Sequence, residues 1–234
     1  MMKTLLLIYF WFMLISTQAQ PISSFNNYLQ HNNQVVFVKT NSDSTIHGMM
    51  FLCERKNAHK QWRIRDSFNI VVGTKGLGKD ATSSIGLNNI NTIKHEGDGK
   101  SPAGIFSLGS VFSYHTLSHL HMPFVQVDTN FYCVDDVSSN YYNTLINQDT
   151  AQHNFSSFEY MKRNDELYEY GVWVLYNSNP VVNGNGSCIF LHVWRNEYSG
   201  TAGCTAMAKD NVLKLIYWLN KKKHPVLLQI VSGN

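Results

Sequence analysis

His192 and Cys204 stand twelve residues apart, a base and a nucleophile close enough in sequence to suggest acyl transfer through a thioester. His192 lies in Gly186-Ser187-Cys188-Ile189-Phe190-Leu191-His192-Val193-Trp194, the pattern of a buried strand, and is its only basic or acidic member. A single histidine in a core is ordinarily structural. What favours chemistry is the second arm, Thr201-Ala202-Gly203-Cys204, reached through a loop rich in Asn, Ser, Gly and Thr. Folded as a hairpin centred near Tyr198, the two arms would set His192 opposite Cys204 with Cβ atoms about 4.5–5.5 Å apart. Cys204 also precedes a helical pattern by a few residues, where the positive helix end would favour its thiolate.

Cys188 is the competing thiol. Four residues from His192 on one extended strand, it would stand roughly 13 Å away, too far to meet the imidazole. It reads instead as a small buried hydrophobe or as a disulfide partner of Cys133 or Cys53. Histidine before cysteine also excludes the papain plan, in which the cysteine comes early and the histidine far downstream.

Other motifs carry less. Gly99-Lys100-Ser101 fails as a phosphate loop, because Lys94 stands where that motif needs Gly and Pro102 follows where a helix should start. Gly73, Gly76 and Gly78 lack the dinucleotide spacing and a following amphipathic helix. His115, His119 and His121 form H-x-x-x-H-x-H, and alternate histidines on a strand point the same way, so a zinc-dependent cell-wall peptidase is one alternative reading. It would need a further ligand and a general base, and no H-x-x-x-D is present. No metal and no cofactor is therefore expected.

The elements that must position the pair are mostly strands. Val35–Val38, Met49–Cys53, Trp62 and Ile64, Ile70–Val72, Phe124–Val127, Val172–Tyr176, Ile189–Val193 and Val226–Ile230 are short apolar runs between Gly- and Asn-rich turns, which predicts a mostly β fold. One helix is predicted from about Lys209 to Lys222, with Val212, Leu215, Ile216 and Leu219 on the face that packs on the sheet. A shorter one is predicted from Ser156 or Ser157 to about Arg163. With 44% hydrophobic residues and a net charge of +3 over 234 residues, the chain is folded, and so mild a charge gives no ground for a nucleic-acid partner; none is expected. Lys221-Lys222-Lys223 reads as a solvated helix end.

Residues 1–19 combine Lys3, the apolar run Leu5–Ile15 and small residues up to Ala19. They read as a signal peptide too short to span a membrane, cleaved before Gln20. Residues 20–34 read as a linker and 35–234 as the catalytic domain, located in the periplasm or secreted, with no membrane span after cleavage. Oligomeric state is not readable.

Four ordered motifs carry a family resemblance: Gly97-Asp98-Gly99-Lys100-Ser101-Pro102-Ala103-Gly104, Cys133-Val134-Asp135-Asp136, Phe190-Leu191-His192-Val193-Trp194 and Thr201-Ala202-Gly203-Cys204. With them the chain resembles the L,D-transpeptidase catalytic domain family of bacterial cell-wall enzymes from about Val35 to Ile230. The resemblance implies a β-sandwich-like fold with one main helix on the sheet. It implies Cys204 as nucleophile, His192 as base and Gly203 as the neighbour whose carbonyl orients the imidazole. The substrate would be peptidoglycan stem peptides. The thiolate attacks the carbonyl joining diaminopimelate to D-Ala, and an amine or water resolves the thioester, giving a transpeptidase or an L,D-carboxypeptidase. The backbone N–H groups of Gly203 and Cys204 are candidate oxyanion donors by position. The resemblance also favours a Cys133–Cys188 disulfide, leaves Cys204 free, and implies that a carbapenem can trap it.

The wider family has Ser-His-Gly-Cys with Arg two residues on, where this chain has Thr201, Ala202 and Ala206. Arg195 or Lys100 would replace that Arg at the substrate carboxylate, with Trp194 beside them. A non-catalytic wall-binding module is the other alternative, and the intact Cys204 and His192 argue against it.

Overall fold

Which strands alternate and which are apolar throughout follows from how many faces each one buries. Arg63–Val71 exposes Arg63, Arg65, Ser67 and Asn69 while turning Phe68 and Ile70 inward, whereas Val226–Val231 is buried at every position. The computed structural model describes residues 20–83, 85–149 and 154–233. Along the chain run α1 (Gln20–Ser23), β1 (Gln34–Thr40), β2 (His47–Glu54), β3 (Arg63–Val71), β4 (Leu77–Lys79), β5 (Ser101–Ser113), β6 (Phe124–Gln126), β7 (Phe131–Val134), β8 (Leu145–Asn147), β9 (Phe158–Tyr160), β10 (Tyr170–Val174), β11 (Phe190–Val193), β12 (Thr205–Met207), α2 (Lys209–Trp218) and β13 (Val226–Val231).

The main sheet has the order β10-β11-β12-β3-β2-β1-β13-β5-β4. β5 is long enough, at 13 residues, to serve two neighbours. Gly104–Ser107 pair with β13, and Leu108–Ser113 pair with β10, so the sheet returns on itself as a barrel-like β-sandwich. β11 and β12 run parallel, as do β1 and β13. A second sheet, β8-β7-β9, stands beside the first, and the Cys133–Cys188 disulfide joins β7 to the segment leading into β11.

α2 buries Val212, Leu215 and Ile216 against β10 and β11. The expected mostly β fold with one main helix on the sheet is therefore what the chain adopts. The helix ends at Trp218 and not at Lys222. Leu219 turns to extended geometry, the Asn220 side chain accepts from Lys222 N, and Lys221–Lys223 form a separate 3-10 turn. The helix expected near Ser156 is absent from the described residues. Phe158–Tyr160 form β9, whose alternating aromatic residues pair with β7. Eight residues make a marginal helix, and the sheet edge supplies main-chain partners that such a helix would lack.

Residues 20–34 are no free linker. Ile22 and Leu29 are fully buried and Phe25 nearly so, all within the main core. Asn26 accepts from Trp62 Nε1 at 2.9 Å, and the Asn32 carbonyl accepts from Arg55 Nε at 3.0 Å. The expected signal peptide, residues 1–19, lies outside the described residues. No helix among those described is long and apolar enough to cross a membrane.

Candidate active site

Cys204 immediately precedes β12, and the parallel register of Leu191 with Thr205 and His192 with Ala206 sets it level with Phe190. The expected hairpin is thereby corrected. After β11 the chain crosses to the end of β3, where Thr201 bonds to Val72 and Thr74, and it then re-enters the sheet beside β11 in the same direction. Cys204 and His192 are consequently offset by two residues, roughly 6–7 Å of strand, and are not directly opposed. Both remain on the wall of one cleft of about 800 Å³.

The sulfur is held by main-chain groups. Phe190 N–H donates to Cys204 Sγ at 3.3 Å, and the Cys188 carbonyl lies 3.4 Å from the same sulfur as acceptor. The Cys204 carbonyl is clamped by two hydroxyls, Ser101 Oγ at 2.7 Å and Thr201 Oγ1 at 2.6 Å. Gly203 N–H donates to Thr201 Oγ1 at 3.2 Å, so this candidate oxyanion donor already has a partner. Burial pushes the Cys204 thiol up and the nearby Glu159 charge adds to it, while the Phe190 N–H, Lys94 and the Tyr168 hydroxyl oppose them. The helix end takes no part, because all of β12 separates Cys204 from α2 and that influence fades within one turn.

His192 is 5% exposed, and burial lowers its pKa to about 4, against the carbonyls of Val193 and Leu167 that favour the charged form. Its Nδ1 lies 2.8 Å from the Val193 carbonyl, the orienting contact that had been expected from Gly203. With the proton on Nδ1, Nε2 carries the lone pair. Tyr168 packs edge-on against the imidazole with centroids 5.0 Å apart, and its hydroxyl donates to Glu159 Oε2.

Trp194, Arg195 and Gly203 all line the cleft. Arg195 is at the rim, with Nη2 3.8 Å from Asp165 and its side chain 67% exposed. Lys100 is not brought there: its ammonium donates to the Lys75 and Leu77 carbonyls. The buried cation of the cleft is Lys94, paired with Asp98 at 2.7 Å, and the same carboxylate receives the backbone N–H groups of His95 and Lys100. Glu96, Asp135 and Glu159 add carboxylates to the wall, and Asp135 Oδ1 is buried without a hydrogen-bond partner among the described residues. Asp136 next to it accepts from the Ser138 and Ser156 side chains and backbones, which hold its carboxyl well below the usual range.

Sequence reasoning did not single out Lys94, Glu159, Tyr168 or Ser101. Ser101 had a signal, a hydroxyl inside the Gly97–Gly104 motif; Tyr168 and Glu159 had none, because only tertiary packing brings them to the sulfur. The three histidines of H-x-x-x-H-x-H disperse. His115 Nε2 meets Glu169 at 3.1 Å, and the His121 carbonyl accepts from Lys221 N. No group of three or more potential metal-ligating side chains is assembled among the described residues.

The family model of the L,D-transpeptidase catalytic domain (YkuD) matches residues 33–228. The chain belongs to the L,D-transpeptidase catalytic domain family. No curated protein and no solved structure matches the chain. Members of this family act on peptidoglycan in the cell envelope, and the chain is an L,D-transpeptidase-type enzyme. The family assignment bears on the motifs directly. Gly97–Gly104 supplies the Asp98 anchor of Lys94 and the Ser101 clamp, Cys133–Asp136 supplies the disulfide and one acidic wall, and the last two motifs supply the imidazole and the thiol.

Proposed function

We propose that this chain is an exported cysteine acyltransferase acting on peptidoglycan stem peptides. The observation that carries it is Cys204 in a cleft, its sulfur facing the Phe190 N–H and its carbonyl fixed by Ser101 and Thr201, with His192 on the same wall. The Cys204 thiolate attacks the carbonyl of diaminopimelate, the C–N bond to D-Ala breaks as the C–S bond forms, and D-Ala leaves as the amine. His192 serves the amines that leave and enter, its ring oriented by the Nδ1 contact with the Val193 carbonyl. An amine acceptor gives a cross-link and water gives a trimmed stem. Arg195 and Trp194 at the rim contact the stem, with Arg195 facing its carboxylate. Export agrees with the Cys133–Cys188 disulfide, a bond that persists in oxidising compartments.

The test is a digest of purified peptidoglycan with wild type and Cys204→Ala, resolved by mass spectrometry. Cross-linked or trimmed stems should form with the wild type alone. Products that persist with Cys204→Ala and vanish with a chelator would transfer the activity to a zinc peptidase.

A further inference from the structure

Three carboxylates line the Cys204 cleft without a cation of their own: Glu96, Asp135 and Glu159. Lys94 is matched by Asp98 and Arg163 by Asp165, each at 2.7 Å, and Arg195 lies 3.8 Å from the same Asp165. Among the described residues no ion pair reaches any of the three. Glu96 accepts from the Tyr142 and Ser187 hydroxyls at 2.5 and 2.6 Å, and Glu159 accepts from Tyr168. Asp135 Oδ1 is different: it is buried on the cleft wall and has no hydrogen-bond partner among the described residues. A buried oxygen of this kind calls for a donor from outside the chain.

The disulfide gathers this wall beside the sulfur of Cys204. Cys188 presents its carbonyl to that sulfur at 3.4 Å and is bonded to Cys133. Glu159 is the antiparallel partner of Cys133 across β7 and β9, so the two side chains share one face. Asp135 follows two residues after Cys133, which puts their Cα atoms at most about 7 Å apart. Glu96 is tied to Ser187, the neighbour of Cys188. Burial pushes the Glu159 carboxyl up, and Asp135 and Glu96 add to it against the Tyr168 hydroxyl and Arg163.

We propose that Asp135, with Glu159 beside it, determines substrate choice by taking the free side-chain ammonium of diaminopimelate in the donor stem. This rests on reading Cys204 as the nucleophile of a peptidoglycan acyltransferase. Cross-linking brings two such amines to the cleft, the donor's and the acceptor's. The acceptor amine must be neutral to attack the thioester, and a carboxylate that keeps it protonated opposes that step. The donor's ammonium changes no bond, stays charged throughout and sits a side-chain length from the carbonyl under attack, so it is the occupant. A stem whose amine is already acylated in a cross-link brings no charge to Asp135 and is rejected. The wall thereby selects stems with a free amine as donors. Its charge also bears on the thiol, since Glu159 adds to the burial that raises Cys204, and an ammonium seated beside it favours the thiolate.

Charge-selective thiol reagents read the wall with no cell-wall substrate. Cys204 is treated with the cationic trimethylammonium-ethyl methanethiosulfonate and with its anionic sulfonate analogue, and each rate, followed by peptide mass, is normalised to free cysteine. The cation-to-anion ratio cancels the ionisation of the thiol itself. Asp135→Asn, which takes no partner from Oδ1, and Glu159→Gln, which keeps an acceptor for Tyr168, should each lower that ratio by about tenfold. An unchanged ratio in either variant would overturn the ammonium site. The second arm is D-Ala release from a synthetic tetrapeptide stem with its side-chain amine free or acetylated. The wild type should prefer the free amine by about tenfold, and Asp135→Asn should lose that preference. Equal release from the two stems by the wild type would overturn the occupant. Release from neither would reject the peptidoglycan substrate and this occupant with it, a failure told apart from that of the wall by the reagent ratio.

Discussion

Ser101 Oγ donates to the Cys204 carbonyl at 2.7 Å while accepting from Gly73 N–H at 2.8 Å. One hydroxyl on the first residue of β5 thereby links the strand that closes the sheet, the turn after β3 and Cys204, the proposed nucleophile. Ser101 is fully buried, so on its loss the Gly73 N–H has no water to replace it, while the Cys204 carbonyl keeps the Thr201 hydroxyl.

Ser101→Ala should therefore destabilise the fold by about 1–3 kcal/mol, the range for leaving buried polar groups unpaired. It should also slow acylation by a carbapenem about tenfold or more, through displacement of Cys204 and not through any change in its ionisation. Urea unfolding and intact-mass time courses measure the two effects separately. An unaltered acylation rate would show that the clamp serves stability alone.

Stability should fall on the acid side because of His192. Its pKa drops from 6.5 to about 4 on folding, so between those values the unfolded chain binds the extra proton and folding must exclude it. Its effect is absent above about pH 6.5, grows as pH falls, and levels off below about pH 4 at a loss of about 3 kcal/mol. Denaturant unfolding of wild type and His192→Gln, compared from pH 8 to pH 4, isolates that slope. Equal pH dependence in the two proteins would mean that the imidazole is not held neutral by the fold.

Thiol counting under denaturing, non-reducing conditions should find two free thiols, Cys53 and Cys204. The Cys133–Cys188 bond closes a loop of 55 residues, and opening it should lower stability by about 4 kcal/mol on the chain-entropy account. Paired Cys133→Ser and Cys188→Ser variants give this value by urea unfolding, with four free thiols reappearing only in reduced wild type. A count of zero would contradict a free nucleophile.

The residues that announce themselves by type, Cys204 and His192, were legible, and so were the strands whose apolar runs are bounded by turns. Their relative placement was not. A loop of about ten residues between two strand-like arms reads as a hairpin, yet Thr201 is captured by Val72 and Thr74 at the end of β3, and the return arm runs parallel to β11. Nothing local encodes that capture. The segment 20–34 misled for a related reason: its Asn and Ser content is that of a linker, and the three apolar residues Ile22, Phe25 and Leu29 have value only beside a core that the rest of the chain builds. Lys100 was overestimated because a lysine in a motif looks available until the Lys75 and Leu77 carbonyls are seen around its ammonium.

The sulfur of Cys204 and the ring of His192 are both addressed by peptide groups: Phe190 N–H, the Cys188 carbonyl and the Val193 carbonyl. Every residue except proline carries those atoms, so an alanine scan of positions 188, 190 and 193 probes packing and the disulfide while leaving these contacts chemically intact. Side-chain drift at the three positions is correspondingly cheap for the chemistry. Only an edit of the backbone itself, such as an ester in place of the Phe190 amide, would make this part of the machinery visible to experiment.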